Sequence, residues 1–119
     1  MVRDTRAYLW DVQQGCERIA RFLLGVDFDA YAANDLVRSA VERQFEIIGE
    51  ALSQLSKVDA DLAAQIPEHT QVIAFRNVLI HGYAALDDRK VWRAAEVSLP
   101  KLAIAVDRLL NECGPAPNG

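Results

Sequence analysis

The sequence predicts an all-α fold: an up-and-down bundle of four main helices with short helical turns between them. Three observations predict it. Apolar residues recur at three- and four-residue intervals over long stretches, no segment alternates with period two, and capping residues and helix breakers fall at the joints. At 119 residues the chain has room for one core and no second domain. We therefore expect a single helical domain over residues 1–112 and a short flexible tail over 113–119, the turn-rich segment that ends in "GPAPNG".

The first helix is expected from about Asp4 to Leu24, with Leu9, Val12, Cys16, Ile19, Ala20, Leu23 and Leu24 on its apolar side and Gly25 closing it in a left-handed conformation. "VDFDAYAAND" reads as a turn or irregular connection, with Asn34 or Asp35 capping the next helix. That second helix runs from about Asp35 to Lys57. Its stripe is Leu36, Val37, Ala40, Val41, Phe45, Ile48, Leu52 and Leu55. Gly49 interrupts that stripe where glycine costs about 1 kcal/mol against alanine, and close packing against another helix accounts for it.

"DADLAAQI" suggests one or two helical turns before Pro67. A third helix comes next, from about Thr70 through Ile80, ending at Gly82, with His69 in the loop before it. Asp87 and Asp88 supply a cap and favourable charge for a fourth helix carrying Val91, Trp92, Ala95, Leu99, Leu102, Val106, Leu109 and Leu110. Pro100 lies inside that pattern, so the helix must kink or break there.

Composition bounds the function. The net charge of −4 and pI of about 5.1 argue against a broad, non-specific nucleic-acid binder, while leaving room for a small positive site. Cys16 and Cys113 stand far apart and read as free thiols of a reducing compartment. The start "MVRDTRAYLWDV" lacks the apolar run of a signal peptide, and no stretch reaches the ~20 apolar residues of a membrane span. A cytoplasmic protein without membrane partners is the expectation. With His69 and His81 the only imidazoles and no carboxylate cluster at ligand spacing, neither a metal nor a cofactor site can be argued.

One stretch of the third helix does not behave as core. "FRNVLIHGY" encloses Arg76, Asn77, His81 and Tyr83 among aliphatic residues. On an ideal helix Asn77 and His81 share a face, whereas Arg76 and His81 stand about 140° apart. Arg76 serves the same site as His81 only by reaching around, or by meeting it across an interface between two copies. Read without more, the stretch is equally a half-exposed helix whose histidine faces its own C-terminal dipole.

"RNVLIHGY" matches the Arg-x4-His-x-Tyr pattern of HEPN-domain toxins of the HepT type. "YLWDV", "AVERQFEIIGEAL" and "VWRAAEVSLPKL" are similar to that family too, so the resemblance covers essentially residues 3–112. It implies an all-helical, metal-independent endoribonuclease toxin that works as a homodimer, with the Arg76 and His81 of both protomers facing one cleft. It also implies a minimal nucleotidyltransferase antitoxin that silences the nuclease by transferring AMP to Tyr83.

The residue types suit that chemistry. Imidazole titrates near neutrality and can take a 2′-hydroxyl proton or supply one to a leaving 5′-oxygen. A guanidinium is always charged and can bind a phosphate through two parallel hydrogen bonds. Asn77 is a candidate to orient His81 or hold a phosphate oxygen. Glu50, in "IGEAL", is a candidate to pair with or position Arg76. The alternative reading is a non-enzymatic helical module that binds nucleotides or a partner, which the acidic pI favours; a purely structural bundle is a third.

Overall fold

The computed structural model describes residues 4–81 and 87–113. Seven α-helices and one π-helical turn account for nearly all of them, and no strand occurs among the described residues. In chain order they are α1 (Thr5–Phe22), α2 (Phe28–Ala32), α3 (Asp35–Val58), α4 (Ala60–Ala64), α5 (His69–His81), α6 (Asp88–Arg93), a π-helical turn (Ala94–Ser98) and α7 (Leu99–Cys113). The four-helix expectation holds, with α1, α3, α5 and the α6–α7 helix as the long members. Gly82 to Leu86, and with them Tyr83, lie outside the described residues, as does 114–119.

Local chemistry sets most of the boundaries. Asp4, Asp27, Asn34, Asp59 and Asp87 each cap a helix, their side chains accepting from otherwise unpaired amides of the first turn. α1 closes at Leu23, and Gly25 (φ 75°) reverses the chain two residues later. Pro67 and the left-handed Glu68 (φ 60°) turn it into α5.

The core is the sum of the apolar stripes. Leu9, Val12 and Ile19 of α1, Val41, Phe45, Ile48, Leu52 and Leu55 of α3, and Leu102, Val106 and Leu109 of α7 are almost fully buried. α1 packs on α3 and on α7, and α3 packs on α5. Three residues assigned to the stripes are outside it: Ala20 is exposed, Leu24 is 83% and Leu36 80% exposed. Leu24 lies just past the end of α1, and Leu36 lies in the first turn of α3, where no neighbouring helix covers it.

Two other expectations change. The segment read as irregular folds into α2, whose Tyr31 is wholly buried against Trp92 of α6, ring centroids 5.4 Å apart. Phe28 meets the same indole edge-on at 6.1 Å. His69 is not in a loop: it is the first residue of α5, half-buried, with Nδ1 3.3 Å from the Ile66 carbonyl. The break foreseen at Pro100 takes the form of the π-helical turn just before it. There the Leu99 amide reaches back five residues to the Ala94 carbonyl. Widening the turn relieves the clash between a proline ring and the carbonyl four residues earlier.

Candidate active site

α5 carries Arg76, Asn77 and His81, and its two sides explain how they are disposed. Val72 and Leu79 are buried, with Ile73 and Phe75 partly so. Phe75 packs edge-to-face on Phe45 of α3, ring centroids 5.4 Å apart, which fixes α5 laterally. Arg76 lies between Val72 and Leu79 on this inward side, so a guanidinium stands where the pattern calls for an apolar residue.

The fold accommodates it through α3. A methyl group placed on Gly49 would stand 2.8 Å from Arg76 Cγ, closer still to Arg76 Cβ, and 3.3 Å from the Val72 carbonyl. The glycine is thus the slot in which the arginine stem lies. The close packing expected for Gly49 is packing against Arg76 in particular, a link between helices that local spacing could not reveal.

The head of Arg76 is held by the neighbouring residue of α3. Arg76 Nη2 is 2.8 Å from Glu50 Oε2, and Gln54 Nε2 donates to Glu50 Oε1 at 2.9 Å. One carboxylate oxygen therefore meets the arginine while the other is pinned from one turn further along α3. Arg76 is 17% exposed and Glu50 53%. Arg76 Nε is buried and has no hydrogen-bond partner among the described residues. Gln54 escaped the sequence reading, although its position four residues after Glu50 marks it as a neighbour on the same helical face.

The opposite side of α5 is open. Asn77 and His81 are both exposed, one helical turn apart, with His81 the last residue of the helix. Val78 (43%) and Ile80 (49%) are exposed beside them. The structure thus brings together Arg76 with Glu50, and Asn77 with His81, on two different sides of one helix. Tyr83 lies outside the described residues. No group of three or more metal-ligating side chains occurs among the described residues, and no helix there is long and apolar enough to cross a membrane. Both cysteines are free, Cys16 buried and Cys113 exposed.

Residues 12–109 match the family model described as Ribonuclease HepT-like. A protein of Methanocaldococcus jannaschii named "Putative RNase" is 29% identical over 105 residues, covering 88% of this chain and 95% of its own. A second protein of that organism, with the same style of name, is 27% identical over 110 residues, covering 92% and 94%. A Thermococcus cleftensis protein named "Probable ribonuclease HepT" is 29% identical over 109 residues, covering 92% and 98%. No solved structure matches the chain.

Proposed function

This chain belongs to the HepT-like ribonuclease family, and from that premise we propose that it is a metal-independent endoribonuclease whose site is completed by a second copy of itself. The observation that carries the proposal is the placement of Arg76. Its stem lies in the Gly49 slot and its head is held by Glu50, so it presents a fixed cation rather than a mobile surface charge.

The chemistry needs few groups. One His81 takes the proton of a ribose 2′-hydroxyl as that oxygen attacks the adjacent phosphorus. The O2′–P bond forms, the P–O5′ bond breaks, and the second protomer's His81 returns a proton to the departing 5′-oxygen. The products are a 2′,3′-cyclic phosphate and a 5′-hydroxyl. Arg76 balances the charge that builds on the non-bridging oxygens, and Asn77, on the His81 face, holds the imidazole or a phosphate oxygen. Glu50 restrains Arg76 and leaves it further N–H groups for the phosphate.

A two-fold dimer reconciles the arrangement. Arg76 and His81 diverge by about 140° on one helix, so a second α5 is the economical way to set an arginine opposite a histidine. Val78 and Ile80 supply apolar area for such a contact. Tyr83, two residues beyond His81 in sequence, is the proposed AMP acceptor. Its phenolate oxygen attacks the α-phosphorus of ATP bound by a nucleotidyltransferase antitoxin, and pyrophosphate leaves. The new phosphodiester adds negative charge and bulk close to where RNA phosphate must bind.

The direct test is RNA cleavage in excess chelator by wild type, Arg76→Ala and His81→Ala. Loss in both variants is expected, and equal cleavage by His81→Ala and wild type would sink the assignment. For the partner, the chain is co-expressed with a neighbouring nucleotidyltransferase and weighed intact. Mass gains in AMP steps that vanish in Tyr83→Phe are expected, and gains that survive that substitution refute the acceptor.

A further inference from the structure

A groove of about 470 Å³ lies between α1 and the α6–α7 helix, and no residue of α3 or α5 lines it. Its walls are apolar, among them Ile19, Leu23, Trp92, Leu99 and Ala103, and its volume is that of a small-molecule site. Every charged residue on it is a carboxylate: Glu17, Glu96 and Asp107. They are spread along its length. Gln13 bridges α1 to α7 at one end by donating from Nε2 to Asp107 Oδ1 at 2.7 Å, and Glu17 comes one turn after Gln13. Glu96, in the π-helical turn, precedes Asp107 by three turns, about 16 Å along the helix.

We propose that this groove binds a linear aliphatic dication, its chain along the apolar walls and an ammonium group at each end, one toward Asp107 and Glu17 and the other toward Glu96. Charge excludes the anionic occupants. An extended peptide would set its backbone N–H and C=O groups against apolar walls without partners. Anions meet three carboxylates and no cation. The field of those carboxylates reaches into the groove: the Cys16 thiol, which lines it, is pushed up to about 12, by burial first and then by Asp107 and Glu17.

Diaminohexane fits the span. Extended, its nitrogens lie about 9 Å apart, and a charge-assisted hydrogen bond of about 2.8 Å at each end brings the reach to about 15 Å.

The experiment is titration of the full chain with diaminohexane, hexylamine, hexanoate and diaminopropane at low salt, monitored by calorimetry and amide chemical shifts. Diaminohexane is expected to bind most tightly, with shifts concentrated at Cys16, Ala95 and Ala103, and hexanoate not at all. Glu96→Gln is expected to weaken diaminohexane about fivefold, the effect of one exposed charge pair, while leaving hexylamine unchanged. Ala20→Trp, on the exposed lip of the groove, fills the channel and should abolish binding with the fold intact by circular dichroism. Equal binding of hexanoate, undiminished diaminohexane binding in Ala20→Trp, or the absence of groove shifts, as when another molecule of the chain covers the site, each overturns the proposal.

Discussion

Substituting Gly49 by alanine tests whether the arginine slot matters for cleavage. The new methyl would sit 2.8 Å from Arg76 Cγ and 3.3 Å from the Val72 carbonyl, against ordinary carbon contacts of about 3.5–4.0 Å. Something must therefore give by at least about 0.7 Å. The nearest atom is Arg76 Cβ, which no rotamer change can move, so α5 itself has to shift away from α3. Overpacking of this kind costs about 1–3 kcal/mol, offset by about 1 kcal/mol of helix propensity gained over glycine. The net loss of about 0–2 kcal/mol leaves a domain of ordinary stability folded and lowers Tm by no more than about 15 °C. A displacement near 1 Å in the catalytic geometry, by contrast, costs about a hundredfold in rate. The assay is kcat/KM on a fluorogenic RNA in chelator, beside a thermal melt. Gly15→Ala is the matched control: its methyl would press on Ile48 Cγ1 at 2.5 Å, between α1 and α3 and away from Arg76. It should cost stability and spare the rate. A Gly49→Ala protein that cleaves as fast as wild type would refute the idea that the slot positions Arg76.

Other substitutions probe the same packing. Glu50→Gln keeps the shape but removes the charge that holds Arg76; kcat/KM should fall about tenfold or more, while a pair this exposed contributes at most about 1 kcal/mol to stability. Phe45→Ala removes both a core ring and the anchor of Phe75, and is expected to cost about 3–5 kcal/mol by denaturant titration. Tyr31→Phe deletes a buried hydroxyl that has no hydrogen-bond partner among the described residues, so stability should hold or rise by up to about 1 kcal/mol. Glu42 supplies the pH dependence: burial first, then Asp88, raises its carboxyl pKa against the opposing pull of Arg38. The folded chain then keeps this proton more tightly than the unfolded one, and stability falls as pH rises from the ordinary carboxylate range through the raised value. Glu42→Gln should raise Tm above that window and leave it unchanged below; equal effects at both ends would count against the assignment.

The parts of the fold that repeat along the chain were legible in it. α1, α3 and α7 each bury a stripe that returns every three or four residues, and Asn34 and Asp87 cap where such residues are expected to. α2 was not legible, because five residues are too few to show a period and Tyr31 is buried by Trp92, more than sixty positions away. In the site, the Arg76–Glu50 contact was open to expectation only through the family resemblance, because a glutamate on a helix is as readily a solvated charge. That Gly49 exists for Arg76 was not open even to that, since the reason for the missing side chain lies on another helix. The same limit applied to the groove, whose two walls come from opposite ends of the chain.

The π-helical turn at Ala94–Ser98 also sets the phase of everything on either side of it. It behaves as a one-residue insertion, turning α6 by about 100° relative to α7 compared with an unbroken helix. With it, Trp92 points toward Tyr31 while Leu102, Val106 and Leu109 point into the bundle. Deleting a single residue between 94 and 98 would force a choice between those two alignments, and no point substitution would restore both. Length in this segment is therefore constrained more tightly than residue identity, a reading frame in the helix itself that composition and substitution patterns alone would miss.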